Sequence, residues 1–209
     1  MKYFSNAKFY DVFGQTEMSP ATLMLKHEDS IRKATSVGKP LLNVEVRIVD
    51  ENMQDVPVGE IGEIVYRGPT LMKEYYKKPE ETNEAFKGGW FHSGDLVSID
   101  EEGFIYVRDR KKDMIISAGE NIYPAEVEGV LYKHAGIFEV AVVGVPDEQW
   151  GESVKAYIVL KEGYTLTQKE VIDYCAPLLA SYKKPKYVEF IDQLPRNASG
   201  KILKRLLKQ

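Results

Sequence analysis

Alternation of apolar and polar residues runs through residues 42–108 and then stops, and this change of pattern constrains the fold more than any other feature of the chain. Val44 to Asp50 (VEVRIVD) would send successive side chains to opposite faces of a strand, and Gly62 to Gly68 (GEIVYRG) and Gly103 to Asp109 (GFIYVRD) do much the same. These segments predict a small antiparallel sheet. The clusters between them are rich in Gly, Asp, Glu and Asn and serve as turns, while Pro79 to Phe86 carries a proline where the first turn of a short helix favours one. The charged run Arg108 to Asp113 (RDRKKD) separates this half from one of different style. There the patterning predicts helices at Pro124 to Lys133, Thr167 to Leu179 and Lys201 to Leu207, with strands at Val140 to Val145, Val154 to Leu160 and Tyr187 to Ile191. The expected class is α+β: an incomplete β-rich domain over residues 1–111, then a small compact α+β domain over residues 112–209. Incompleteness is read from Phe9 to Glu17 (FYDVFGQTE), a strand running into a polar turn with only a handful of residues before it to supply neighbours.

Charge and cysteine content narrow the function. Lys and Arg number 28 against 32 Asp and Glu, a net charge of −4, so no basic excess points to nucleic acid or an anionic membrane. One cysteine, Cys175, excludes an intramolecular disulfide framework and a multi-cysteine zinc site, and a reducing cytoplasm is the simplest setting. No window approaches eighteen apolar residues, and the first six residues (MKYFSN) lack the apolar run of a signal peptide. A soluble small-molecule role is expected.

Three segments carry chemistry. In FGQTE, Phe13 offers an aromatic face for a base, the Thr16 hydroxyl can bond a phosphate oxygen, and Glu17 is a hard oxygen donor suited to Mg²⁺, although an ordinary strand-to-loop turn would look similar. Trp90 to Leu96 (WFHSGDL) places Asp95 after a glycine in a turn, where a carboxylate can accept hydrogen bonds from the vicinal hydroxyls of a ribose or bond its own backbone; His92, with no partner in view, reads as structural. In Pro195 to Lys208 (PRNASGKILKRLLK), Gly200 allows a tight turn and the long stem of Lys201 can carry its ammonium into a cleft, unless the lysines there are simply solvated.

Taken in order, FGQTE, GEIGEIVYRGPTLMKEYY, WFHSGDL, RDRKKDMIISAGENIYPAEVE and LPRNASGKILKR span almost the whole chain and resemble the signatures of the adenylate-forming superfamily of acyl-CoA synthetases, luciferases and peptide-synthetase adenylation domains. The resemblance implies an ATP-dependent acid:CoA ligase using ATP, Mg²⁺ and coenzyme A, with medium- to long-chain fatty acids the favoured substrates and aryl acids the near alternative. It also implies roles. Asp11, Phe13, Gly14, Gln15 and Thr16 would lie against adenine and phosphates, Glu17 would bind Mg²⁺, and Asp95 and Arg110 would hold the ribose. Lys112 matches a hinge about which the second domain swings, and Lys201 matches the lysine that bridges carboxylate and α-phosphate during adenylation. Gly119 matches the glycine lining the pantetheine tunnel, and Trp150, Tyr182, Lys184 and Lys186 match positions that contact the CoA nucleotide in some members, with a solvated basic turn the ordinary alternative for Ser181 to Lys186 (SYKKPK).

Three departures qualify the match. Ser93 stands where threonine is usual and keeps the hydroxyl; Asn121 stands where some members have an arginine, which removes a salt link to pyrophosphate from that position. The Ser/Thr/Gly-rich phosphate loop ending in lysine, upstream of FGQTE in the family, is not in the sequence, so the chain is expected to need the missing N-terminal part of its own enzyme and to be inactive alone. An adenylation enzyme that loads a carrier protein, and a non-catalytic module binding nucleotide or CoA, stay open as alternatives, as does oligomerisation.

Overall fold

The computed structural model describes residues 6–208, which divide into two compact units between Lys111 and Lys112. In the first unit, β1 (Asp11–Gly14), β2 (Ala21–Leu25) and β3 (Lys39–Pro40) form an antiparallel sheet in that order. A second, four-stranded antiparallel sheet follows sequence order: β4 (Glu45–Val49), β5 (Gly62–Arg67), β6 (Phe91–Ile99) and β7 (Ile105–Arg110). Helix α1 (Pro79–Ala85) lies between β5 and β6 in sequence, with Pro79 in its first turn as predicted. The core gathers Met18, Leu23, Ile48, Ile64, Tyr66, Phe91, Val97 and Ile105, with Phe13 packed against it. The neighbour of the FYDVFGQTE strand therefore lies downstream, in β2.

The second unit has a sheet in which β10 (Ile137–Asp147), β11 (Gly151–Leu160), β8 (Ile115–Ser117) and β9 (Glu120–Ile122) are neighbours in that order, and β12 (Tyr187–Phe190) pairs parallel to β11. Strand periodicity divides its core in two. Val140, Val142, Val154, Ala156 and Ile158 join Val127 and Leu131 of α2 (Pro124–Leu131) and Val171 and Cys175 of α3 (Gln168–Cys175). Ala141, Val143, Tyr157 and Val159 instead pack with Leu194 and Leu207 from the end of the chain. Thr167 and Glu170 make a reciprocal capping box at the start of α3, and Pro177, which has no N–H, follows its end.

Two expectations are corrected. No terminal helix forms over residues 201–207: only Lys204–Leu206 make a single 3₁₀ turn, because Leu207 is buried on the β10–β11 face and so short a segment gains little from helix propagation. Asp95 is not in a turn; it lies within β6, where Gly94 takes φ +71° and the ladder to β7 shifts register after Leu96. No helix among the described residues is long and apolar enough to cross a membrane.

The two-sided core yields a prediction. Ile158 is fully buried beneath the helices, so Ile158→Ala should cost the second unit about 2–5 kcal/mol, read as a lower urea midpoint, with first-unit reporters such as Trp90 emission unmoved.

Candidate functional site

The FGQTE segment is shaped by a steric constraint. A Cβ on Gly14 would lie 1.8 Å from the Pro20 carbonyl oxygen, so only glycine lets β1 pass so close to the start of β2. Buried Met18 then anchors the turn at Thr16–Met18. The Glu17 carbonyl accepts from the Met72 amide at 2.7 Å, and the Ser19 hydroxyl donates to the Thr70 carbonyl at 2.9 Å. The Glu17 carboxylate accepts from the Tyr75 hydroxyl at 2.9 Å through Oε1. Tyr75 is pushed up to about 12 by burial and by the Glu17 carboxylate, with the Arg110 charge opposing. Phe13 is partly consumed by core packing rather than standing free, and Gln15 holds a buried Nε2 without a hydrogen-bond partner among the described residues. Asp11 is exposed on β1.

Asp95 and Arg110 face each other directly across β6 and β7, with Arg110 Nη1 2.6 Å from Asp95 Oδ1. Asp95 is 4% exposed, whereas the guanidinium is half-exposed. Its backbone is held by Ser93, whose hydroxyl accepts from the Asp95 amide at 2.9 Å and donates to the Ile64 carbonyl at 2.6 Å. Beneath lies Glu63 of β5, which the sequence reading did not single out. Its carboxylate accepts from the Gly94 amide at 3.0 Å and Lys111 Nζ at 3.0 Å, and its Oε2 lies 3.1 Å from His92 Nδ1. Thus Glu63 grips the residue before Asp95 and the residue after Arg110. His92 Nε2 lies 3.1 Å from the Lys87 carbonyl, so the ring spans from the Glu63 carboxylate to the backbone at Lys87. A hollow of about 720 Å³ is lined by Glu63, Tyr75, His92, Ser93, Gly94 and Lys111, among others.

In the second unit the other sequence-predicted residues lie on several separate turns. Ala118 and Gly119 form the two-residue turn of the β8–β9 hairpin, with φ of +52° and +83°. A Cβ on Gly119 would meet nothing within 4 Å, so the demand for glycine at this position is conformational within the chain itself. The Ala118 amide donates to the Trp150 carbonyl at 2.9 Å, and Lys186 Nζ lies 2.6 Å from Asp147 Oδ2, at the closed end of the β10–β11 hairpin. Tyr182 is exposed and Lys184 follows the same short 3₁₀ turn, while their neighbour Lys183 is tied to Glu126 at 2.7 Å. Elsewhere in the unit, Asn197 organises the Lys201 loop: its Oδ1 accepts from the amides of Ser199 (3.1 Å) and Lys201 (2.9 Å), and Gly200 turns at φ +85°. The Lys201 side chain is exposed and has no ion-pair partner among the described residues. Lys112 opens the second unit, exposed, within the 3₁₀ turn Lys111–Asp113.

No cluster of three or more His, Cys, Asp or Glu residues suited to a metal exists among the described residues. Glu17 stands as a single carboxylate steadied by Tyr75, which fits the way Mg²⁺ is held by one or two carboxylates together with substrate phosphates.

Residues 1–76 match the AMP-binding enzyme family and residues 126–201 the AMP-binding enzyme C-terminal domain. A 2-succinylbenzoate–CoA ligase of Geobacillus sp. is 45% identical over 200 residues, covering 96% of this chain and 40% of the relative. A long-chain-fatty-acid–CoA ligase of Mycobacterium tuberculosis is 43% identical over 204 residues, covering 98% and 40%. The o-succinylbenzoate CoA synthetase of Bacillus subtilis, solved with its acyl-adenylate intermediate, superposes with a TM-score of 0.88 at 42% identity, covering 96% of this chain and 41% of that one. The same synthetase has been solved with ATP and a magnesium ion. The chain belongs to the AMP-binding, adenylate-forming superfamily, among relatives that are acyl-CoA ligases. It spans about two fifths of the length of the curated relatives it matches.

Glu63 gives this site a pH signature. Burial alone would raise its carboxyl, but the bonds from His92, Lys111 and Gly94 outweigh burial and leave it below the usual carboxylate range. A depressed folded value means that the stabilisation is complete above the unfolded value of about 4.3 and is lost as pH falls through the folded value. The urea midpoint of the first unit should therefore fall as pH drops below about 4.3, and Glu63→Gln should destabilise the unit by about 1–3 kcal/mol at neutral pH while flattening that acid slope.

Proposed function

We propose that this chain supplies the carboxyl-terminal part of an ATP-dependent acid:CoA ligase, which joins a carboxylate to ATP with release of pyrophosphate and then passes the acyl group from AMP to the thiol of coenzyme A. The observation that carries this reading is the buried Asp95 carboxylate paired across the sheet with a half-exposed Arg110, within a unit that also presents Glu17 on a tyrosine-steadied turn. Asp95 has the chemistry to accept ribose hydroxyls, Arg110 to hold it there, and Thr16 with the Gln15 amide to donate to phosphate oxygens. Glu17 would hold Mg²⁺, which when bound neutralises phosphate charge. Lys201, unpaired and on a backbone fixed by Asn197, would place a cation against the negative charge that develops as the carboxylate attacks phosphorus. Residues 1–111 are read as the remnant of the large domain, and residues 112–209 as a domain that turns about Lys112 to exchange the Lys201 loop for the Gly119 hairpin.

The substrate reading favours medium- to long-chain fatty acids, and the relatives above include one ligase for such acids and one for 2-succinylbenzoate. The 209-residue chain alone is read as inactive, since no Ser/Thr/Gly-rich phosphate loop ending in lysine occurs in it. Thioester formation with free CoA, rather than with a carrier protein, would separate this reading from a carrier-loading enzyme.

Two substitutions in the complete ligase test the two faces. Lys201→Ala should cut acyl-AMP formation at least about 100-fold while leaving the conversion of supplied acyl-AMP and CoA to thioester intact; equal loss in both half-reactions would refute a role confined to adenylation. Gly119→Leu should do the reverse, sparing ATP–pyrophosphate exchange and abolishing thioester formation. Because Gly119 sits at φ +83° with open space around it, Gly119→Ala carries the same backbone strain without the bulk, and the difference between the two variants isolates obstruction of the thiol arm.

A further inference from the structure

We propose that Asp147 is a positioning residue that builds the coenzyme A nucleotide site, holding Trp150 and Lys186 on one carboxylate and, through Trp150, the Gly119 hairpin. This rests on the reading of Trp150, Lys186 and Gly119 as the CoA face of the second unit and adds the group that assembles them.

Asp147 is the last residue of β10, opposite Gly151 at the closed end of the β10–β11 hairpin. Its side chain is 5% exposed, and both oxygens are engaged. Oδ1 accepts from the amides of Gln149 at 3.1 Å and Trp150 at 3.2 Å; Oδ2 accepts from the Ser153 hydroxyl and from Lys186 Nζ at 2.6 Å. From Trp150 the link continues, since its carbonyl accepts the Ala118 amide at 2.9 Å at the tip of the β8–β9 turn. The tip of the β10–β11 hairpin and the distant Lys186 therefore meet on one buried acid, and the β8–β9 turn is joined to them through the Trp150 carbonyl. The long β10–β11 ladder does not need an ion pair to a residue 39 positions away in order to close. What the carboxylate holds in place is an exposed indole and a half-exposed ammonium. An indole face for adenine beside an ammonium for phosphate is the chemistry that a phosphorylated adenine nucleotide requires. A hollow of about 430 Å³ lined by Pro146, Lys155, Tyr187 and Val188, among others, lies beside residues that flank Asp147 and Lys186 in sequence.

An ammonium has three donors, and Asp147 takes one, which leaves Lys186 able to meet a phosphate while its position is fixed. Removing the carboxylate would free a positive charge for an anionic ligand, but at a half-exposed ammonium that gain is screened by water and salt, whereas the loss of a fixed turn is not.

The test uses the 209-residue chain with Trp90→Phe, which leaves Trp150 as its single tryptophan, and titrates it with coenzyme A while following indole emission. Asp147→Asn should weaken binding about tenfold or more, and Asp147→Glu should recover part of it. Lys186→Met, with its melting temperature read alongside because it removes the cation from a buried carboxylate, should weaken binding as well, and in both weakened variants the salt dependence should flatten because the ammonium–phosphate contact is lost. A purely structural staple would lower the melting temperature without changing the salt slope. Parent-like affinity and salt slope in a folded Asp147→Asn variant, or in Lys186→Met, overturns the inference alone. A parent chain whose emission ignores millimolar CoA overturns the inference together with the CoA-face reading.

Discussion

Glu63 is a carboxylate in the wall of a sheet with three donors converging on it: a backbone amide, an ammonium and an imidazole. A buried charge is tolerable only when it is so surrounded, and the requirement runs in both directions. Gly94 must turn its amide inward, which takes the positive φ that glycine provides, and that turn in β6 delivers Asp95 to face Arg110. Lys111 must fold back over the sheet, which fixes the last residue of the first unit. The pairing of Asp95 with Arg110 is therefore supported from both flanks by the bonds of one carboxylate to Gly94 and Lys111.

Much of this was readable from the sequence because strand alternation is a local signal. The β4, β5 and β7 segments, the proline-led helices and the two long strands of the second unit stand close to where periodicity places them. The misreadings have physical causes. Gly94 reads as punctuation between strands, yet here it is a kink within one, and only the partner Glu63, 31 positions away, makes the kink favourable. The end of the chain has leucines and lysines at spacings that suit a helix, but Leu207 finds a better partner in the β10–β11 face than a short helix could offer. Tyr75 and Asp147 were passed over for a related reason. The Glu17 partner of Tyr75 and the Lys186 partner of Asp147 lie 58 and 39 positions away, and nothing in the immediate neighbours announces either contact.

The candidate groups of the two units differ in how they are held. In the first unit Asp95 and Arg110 sit on strands, where cross-strand register sets the distance between them, while Thr16 and Glu17 sit on a short turn. In the second unit they sit mostly on turns, and two of these carry a polar organiser: Asn197 for the Lys201 loop and Asp147 for Trp150. A strand-borne pair is fixed by the ladder itself, whereas a loop-borne group needs an internal brace to keep its ordering cost from falling due at each encounter with ligand.

The path of the chain's final stretch has a mechanical consequence. Leu194 and Leu207 are both buried on the same face of β10 and β11, and the loop bearing Lys201 spans the interval between them like a strap fastened at each end. Beyond the second fastening, Lys208 Nζ reaches back to the Lys112 carbonyl at 3.4 Å, so the strap's end touches the point where the second unit begins. The Lys201 loop is thus tied down at both ends, and its far end also touches the first residue of its own unit, so the ammonium is carried on a braced span and not on a slack tail.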